Sequence, residues 1–228
     1  MSTVLEETVQ DGVPRQTISY VVEGDRRCTA YLWIPETKAG QHRPAMLALH
    51  PTGPLGKGIV AGLGPRANRG YGLELAQRGY VVFAPSYRLV TPGKKMFPES
   101  VHDVRAAIQF MRSRGEALKA DPERIGLMGD SAGAHLASLV ALAGSDPQFS
   151  SEYKADTHAS TPVTVKAAVV FYGPPEGQKS DAMPTHPIDI VKDVKCPVLA
   201  LYGAADTGIP VPSVTTSRIM RFMPNRSL

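Results

Sequence analysis

Short apolar runs alternate along this chain with amphipathic stretches, and this alternation limits the fold more than any other feature. The runs have four to seven residues and carry almost no charge, which is typical of strands buried on both faces of a sheet. The intervening stretches have the length and apolar spacing of helices. Such an alternation forms βαβ units, so the sequence predicts an α/β fold whose mostly parallel sheet has helices on both faces. The predicted strands are residues 45–50, 80–84, 125–128, 166–172 and 197–202.

Three of the intervening stretches are predicted helices, residues 68–78, 98–114 and 131–143. Each is followed directly by a glycine, which commonly ends a helix because it accepts a left-handed backbone conformation. Ahead of them, residues 17–23 and 28–34 predict two short strands joined by a turn over residues 24–27, an antiparallel opening of the sheet.

Composition narrows the class of protein further. A chain of 228 residues with 43% hydrophobic and 20% charged residues fits one globular domain over residues 1–228. The 25 basic side chains exceed the 21 acidic ones only slightly, so a nucleic-acid partner is not expected. No apolar run is long enough to span a membrane and no targeting signal is visible, which predicts a cytoplasmic protein without a membrane partner. Two cysteines, Cys28 and Cys196, support neither a disulfide framework nor a cysteine-based zinc site.

The sequence Gly129-Asp130-Ser131-Ala132-Gly133 lies between a predicted strand and a predicted helix. This is the setting of the G-x-S-x-G nucleophile elbow, a sharp turn that exposes the serine hydroxyl above the sheet. Neighbouring chains pass close to such a turn, so small residues are required two positions before and after the serine. The dipole of the following helix would also stabilise a negative charge near its first turn. A plain Gly/Ser turn is the alternative, but the strand–turn–helix context favours Ser131 as a nucleophile.

A serine nucleophile also needs backbone N–H groups that hold the oxyanion. One belongs to the residue after the nucleophile, Ala132, and another comes from the loop after the first of the apolar strands. In that loop Pro51 has no N–H, so Thr52 and Gly53 are the candidate donors, with an ordinary Gly/Pro turn as the alternative. His50, at the start of the loop, is expected to brace it by hydrogen bonds rather than to transfer protons.

A carboxylate follows the last predicted strand. Asp206 lies shortly after residues 197–202, at the edge of the sheet where the active sites of parallel α/β proteins collect. It is the candidate for the acid that orients a catalytic histidine, with a plain turn aspartate as the alternative. Nucleophile before acid, as in Ser131 and Asp206, is also the chain order of this architecture.

Over nearly its whole length the chain resembles an α/β-hydrolase of the serine esterase and dienelactone-hydrolase type. Residues 121–137 resemble the esterase elbow region, residues 79–85 the family's fourth strand, and residues 196–210 the acid-bearing segment of dienelactone hydrolases. The resemblance implies an α/β-hydrolase fold and hydrolysis of small-molecule esters through an acyl-enzyme, with no cofactor and no metal. Dienelactone hydrolases use a cysteine nucleophile, so serine at position 131 favours a carboxylesterase or acetyl-esterase activity.

The resemblance also implies a catalytic histidine in a loop after one more strand, and the 22 residues that follow Asp206 contain no histidine. We therefore expect the family's last strand and final helix to be missing, and we assign no catalytic histidine. The remaining histidines have other expected places: His135 packed in a helix, His102 half-exposed on another, His42 at the far end of a strand, and His158 and His186 in loops. Of the six histidines, His50 and His186 are the first candidates for a substitute base.

Two functions remain open. One is a serine ester hydrolase for short-acyl esters, because residues 173–187, where many relatives insert a cap, are few. The other is a catalytically impaired or non-enzymatic protein of the same fold, because the catalytic histidine is not visible. The strand at 197–202 would also be left as an apolar sheet edge, which predicts self-association through that edge.

Overall fold

The computed structural model describes residues 2–23, 26–51, 71–88, 97–149, 160–173, 185–190 and 196–202. The strands are β1 (Ser2–Gln10), β2 (Val13–Glu23), β3 (Arg26–Trp33), β4 (Arg43–Leu49), β5 (Val81–Pro85), β6 (Ala120–Asp130), β7 (Ala168–Phe171) and β8 (Val198–Leu201). The helices are α1 (Tyr71–Gln77), α2 (Glu99–Ser113), α3 (Ala132–Ala143) and α4 (Pro187–Ile190), with a 3₁₀ turn at Pro147–Phe149.

All eight strands belong to one sheet, in the order β1-β2-β3-β5-β4-β6-β7-β8. The first three strands and β5 pair antiparallel, and the pairs from β5 through β4, β6 and β7 to β8 are parallel. This confirms the predicted α/β fold and its mostly parallel sheet. The carboxyl ends of the five parallel strands therefore lie along one edge, which is where ligands bind in open α/β sheets.

Helices cover both faces of the sheet. Neighbouring residues of β5 make this visible: Val81 and Phe83 pack in the core cluster that contains α2 and α3, whereas Val82 packs in the smaller cluster that contains α1 and Trp33. Side chains alternate between the faces of a strand, so the two clusters lie on opposite sides of the sheet. Helix α2 buries the apolar side chains that its sequence spacing predicts.

The opening of the sheet differs from the sequence prediction in two ways. Strand β1 was not predicted, because most of its residues are polar and exposed and it has no buried face to give an apolar alternation. It pairs with β2 through the two-residue turn Asp11–Gly12, whose φ angles of 44° and 80° suit a hairpin of this length. The second hairpin is tighter than predicted, since Arg26 already pairs with Glu23 and so belongs to β3 rather than to the turn.

Strand β8 pairs with β7, and among the described residues it is the last strand at its side of the sheet. Val198 is buried against the α2 and α3 face, whereas Leu199 and Leu201 are 38% and 42% exposed on the other face. The predicted continuation of the chain after Tyr202, including Asp206, lies outside the described residues. No helix within the described ranges is long and apolar enough to cross a membrane.

Candidate active site

Ser131 stands at the turn between β6 and α3, at the carboxyl edge of the sheet. Its backbone has φ 53° and ψ −119°, a conformation that residues with a side chain rarely adopt and that costs on the order of 1–3 kcal/mol. Its N–H donates to the carbonyl oxygen of Phe171 at 3.0 Å, and its own carbonyl accepts the N–H of His135 at 3.0 Å. The first bond fixes the turn to the end of β7 and the second starts helix α3.

The glycines on either side of the serine allow this turn to close. A Cβ atom at Gly129 would lie 2.4 Å from the carbonyl carbon of Gly133, so the two glycines pack directly on each other. A Cβ at Gly133 would lie 2.3 Å from the carbonyl oxygen of Leu49 and 2.5 Å from that of His50. The start of α3 therefore touches the backbone at the end of β4, where the loop with the candidate oxyanion donors begins.

Asp130, the residue before the candidate nucleophile, interacts with three tyrosines. The Tyr172 hydroxyl donates to its Oδ2 at 3.1 Å. Burial raises the pKa of the Asp130 carboxyl, and the hydrogen bond from Tyr172 opposes that rise. Burial first and the nearby Asp130 charge second also raise the pKa of Tyr71, on α1, and of Tyr87, after β5. The nucleophile thus stands beside a carboxylate that is partly removed from water.

His50 braces the end of β4. Its ring stacks on Tyr87 with centroids 4.1 Å apart and planes within 5°, and the Tyr87 hydroxyl donates to the His50 carbonyl. Nδ1 lies 2.8 Å from the carbonyl oxygen of Pro51, to which it donates as the protonated ring nitrogen. Burial lowers the pKa of His50 to about 4, so the ring is neutral at pH 7. This geometry fits the bracing role expected from the sequence.

The structure brings some of the predicted site residues together and leaves others undescribed. Ser131 and Ala132 lie at the turn, next to the end of β4. Thr52, Gly53 and Asp206 lie outside the described residues, so their predicted roles stay predictions. The strand that leads to Asp206 does reach the same edge, because the N–H of Tyr172 donates to the carbonyl oxygen of Leu201 at 2.8 Å.

His158 lies outside the described residues, and the other histidines that the structure describes follow the sequence expectations with one exception. His135 is buried in α3, and its ring lies edge-on to that of His186 with centroids 5.3 Å apart. His42 precedes β4, at the opposite end of that strand from the elbow, and lies 3.0 Å from a carboxylate oxygen of Glu116. His102 was predicted to be half-exposed but is 1% exposed, because α2 packs both on the sheet and against the neighbouring helix α3, a contact that its sequence does not show.

Asp130 and Tyr172 are the site residues that sequence reasoning missed. The only signals were an acidic residue inside the elbow motif and a tyrosine at the end of a predicted strand. Their contact depends on the register of β6 and β7, in which Asp130 is paired with Phe171. In the described part of the chain, no three His, Cys, Asp or Glu side chains lie close enough together to hold a metal ion.

Comparison with known proteins agrees with this architecture. The curated relatives include a Methylorubrum extorquens protein that carries the name carboxymethylenebutenolidase, 32% identical over 62% of this chain and 47% of its own length. The esterase LipC of Mycobacterium tuberculosis is 35% identical over 48% of this chain and 26% of its own. The chain thus spans less than half the length of these relatives.

Solved structures show the fold independently. Thermogutta terrifontis esterase 2, in a form phosphoramylated by tabun, matches with a TM-score of 0.65 and 22% identity, over 89% of this chain and 75% of its own. MGS-M1, an α/β hydrolase enzyme from a Medee basin deep-sea metagenome library, matches with a TM-score of 0.61 and 20% identity, over 86% and 72% of the two chains.

The family models give the assignment. The model of the dienelactone hydrolase family matches residues 155–221. The model of the BD-FAE family matches residues 65–186, which is more than half of the chain and includes the elbow. The protein belongs to the BD-FAE family and has the α/β-hydrolase fold.

Proposed function

We propose that this protein is a serine ester hydrolase in which Ser131 is the nucleophile. The observation that carries the proposal is the backbone of Ser131, held at a positive φ between β6 and α3 with both flanking glycines in direct backbone contact. A folded chain keeps such strain where the surrounding structure supports it, and these places are commonly functional. The curated relatives named as esterase and carboxymethylenebutenolidase support the same chemistry.

The reaction would follow the general course of serine hydrolases. The Ser131 hydroxyl attacks the ester carbonyl carbon while a general base takes its proton, and the carbonyl oxygen becomes the oxyanion. The N–H of Ala132, with those of Thr52 and Gly53, would hold that oxyanion, and the N-terminal end of α3 adds a favourable dipole. The C–O bond to the alcohol then breaks, the alcohol leaves with the proton, and water hydrolyses the acyl-enzyme. Asp206 would orient the base, which we do not assign to a residue.

The substrates are proposed to be small esters with short acyl groups, without a cofactor or a metal. Residues 173–187 are too few for the large cap that would enclose a long chain. A series of p-nitrophenyl esters from acetate to decanoate tests this, and we expect kcat/KM to fall beyond butyrate. A preference for octanoate or decanoate would contradict it. The cytoplasmic location predicted from the sequence stays a prediction, which cell fractionation tests.

The nucleophile is tested by hydrolysis of p-nitrophenyl acetate by the protein and by its Ser131→Ala variant. We expect the variant to lose the activity above the uncatalysed rate while its melting temperature stays close to that of the parent. Equal rates in the two proteins would rule out Ser131 as the nucleophile.

A protein of the same fold without catalytic activity is the second candidate. Three of the described histidines favour it, because His50 is neutral and packed on Tyr87, and His102 and His135 are buried in helices. Hydrolysis that depends on Ser131 would rule it out, and a complete lack of hydrolysis in the folded protein would support it.

A further inference from the structure

We propose that the hydrogen bond between Tyr172 and Asp130 is a positioning contact for Ser131, which holds the nucleophile turn against the end of β7. The inference rests on the proposed function, since it takes Ser131 to be the nucleophile. It assigns to Tyr172 and Asp130 a role that acts through the serine, without contact between these residues and the substrate.

Two hydrogen bonds join the turn to β7 side by side. The backbone N–H of Ser131 donates to the carbonyl oxygen of Phe171, and the side chain of the next residue, Tyr172, donates to the carboxylate of the preceding residue, Asp130. The distances are 3.0 and 3.1 Å. The backbone bond ties the serine itself to the end of β7, and the side-chain bond adds a second link one residue before the serine.

Tyr172 is itself held in place. Its φ is 43°, an uncommon value for an aromatic residue, and its N–H donates to the carbonyl oxygen of Leu201 at the end of β8. Ser131 follows the end of β6, Tyr172 follows the end of the neighbouring strand β7, and both residues have a positive φ. From this position its hydroxyl reaches Asp130 across the gap between β7 and β6.

The charge of Asp130 gives the contact a measurable signature. Among the described residues, the Tyr172 hydroxyl donates to this carboxylate, and its charge also acts on Tyr71 of α1 and Tyr87 after β5. Burial raises the pKa of Asp130, and the Tyr172 bond lowers it. Without the Tyr172 hydroxyl, the pKa of Asp130 therefore rises further, and the carboxylate takes up a proton at a higher pH.

The test compares Tyr172→Phe with the unmodified protein in two readouts: the rate of labelling by a fluorophosphonate at pH 7.5, and the pKa of Asp130 followed by NMR of its carboxyl carbon. We expect Tyr172→Phe to label about tenfold more slowly and the pKa of Asp130 to rise by about one pH unit, as for the loss of one hydrogen bond to a charged group. Asp130→Asn keeps an acceptor for Tyr172 and should stay within about threefold of the parent, whereas Asp130→Ala should fall about tenfold.

A matched control is Tyr202→Phe, which deletes the same atom at the same edge of the sheet. The Tyr202 hydroxyl donates to the carbonyl oxygen of Gly173 at 2.7 Å, a bond that joins the residues after β8 and β7. We expect its labelling rate and the pKa of its Asp130 to match those of the parent. A parent-like labelling rate or an unchanged Asp130 pKa in Tyr172→Phe would overturn the proposal, as would equal losses of labelling in Tyr172→Phe and Tyr202→Phe.

Ser131→Ala separates this inference from the proposed function. If Ser131→Ala labels as fast as the parent, Ser131 is not the nucleophile. If Ser131→Ala loses labelling but Tyr172→Phe labels like the parent, only the positioning contact is refuted. Exchange of the Ser131 amide hydrogen, followed by NMR, tests the contact even in a protein that does not label. We expect Tyr172→Phe to exchange this amide about tenfold faster than the parent, and an unchanged rate would overturn the proposal.

Discussion

The contact between Gly133 and the end of β4 predicts a large effect for one added methyl group. In Gly133→Ala the new Cβ would lie 2.3 Å from the carbonyl oxygen of Leu49 and 2.5 Å from that of His50. Both neighbours are backbone atoms of the strand end, so no side chain can rotate away. Ordinary contact requires α3 and β4 to separate by about 1 Å, against the packing of both with the rest of the core.

Over-packing of this kind costs about 1–3 kcal/mol, and the rigid neighbours put Gly133→Ala at the upper end, about 3 kcal/mol. For a domain of this size that corresponds to a melting temperature lower by about 6–12 °C. Gly126→Ala is the matched control in the adjoining strand β6, because its Cβ would meet the flexible end of Met46, with the methyl carbon at 3.1 Å. We expect it to cost less than about 1 kcal/mol.

Thermal unfolding followed by circular dichroism, with urea unfolding as a second measure, compares the two variants with the parent. Melting temperatures of Gly133→Ala and Gly126→Ala that agree within about 2 °C would refute the steric reasoning, since the two substitutions add the same methyl group.

Three further predictions concern other described contacts. Asp103 is fully buried and accepts two hydrogen bonds from the Arg88 guanidinium and one from the Arg88 backbone N–H. Asp103→Ala should therefore lower the free energy of unfolding, measured by urea titration, by about 3 kcal/mol. A change below about 1 kcal/mol would contradict this. The pKa of His50 in the folded protein is about 4, below its value in the unfolded chain. Between about pH 4 and 6.5 the unfolded chain therefore binds more protons, and the stability of the fold falls as the pH is lowered through this window. His50→Gln should flatten that part of the stability curve, and an unchanged slope would show that other groups cause it. Leu199→Lys should reduce self-association through the β8 edge in sedimentation velocity runs, whereas a parent that is monomeric at all concentrations would refute the edge prediction.

The parts of this fold that the sequence predicts are those that local pattern determines. The apolar runs at β4, β5, β6, β7 and β8 need burial on both faces, so their composition alone marks them as strands of a parallel sheet. The elbow is also local, since a strand, a Gly-x-Ser-x-Gly turn and a helix are consecutive in the chain.

Other features depend on pairing across the chain and could not be predicted in this way. Strand β1 is polar, and β2 holds it by backbone hydrogen bonds, although the Asp11-Gly12 turn was a usable hairpin signal. The burial of His102 depends on the packing of α2 against α3. The contact of Asp130 with Tyr172 joins residues 42 positions apart, and only the register of β6 and β7 brings them together.

The central claim is that Ser131 is a nucleophile, and the covalent adduct of a fluorophosphonate tests it most directly. The protein is incubated with the probe, and intact mass and peptide mapping locate the modification. We expect one adduct per chain on the serine of the peptide that contains Gly129 to Gly133, and none in Ser131→Ala. A folded parent without an adduct, or an adduct that persists in Ser131→Ala, would contradict the claim.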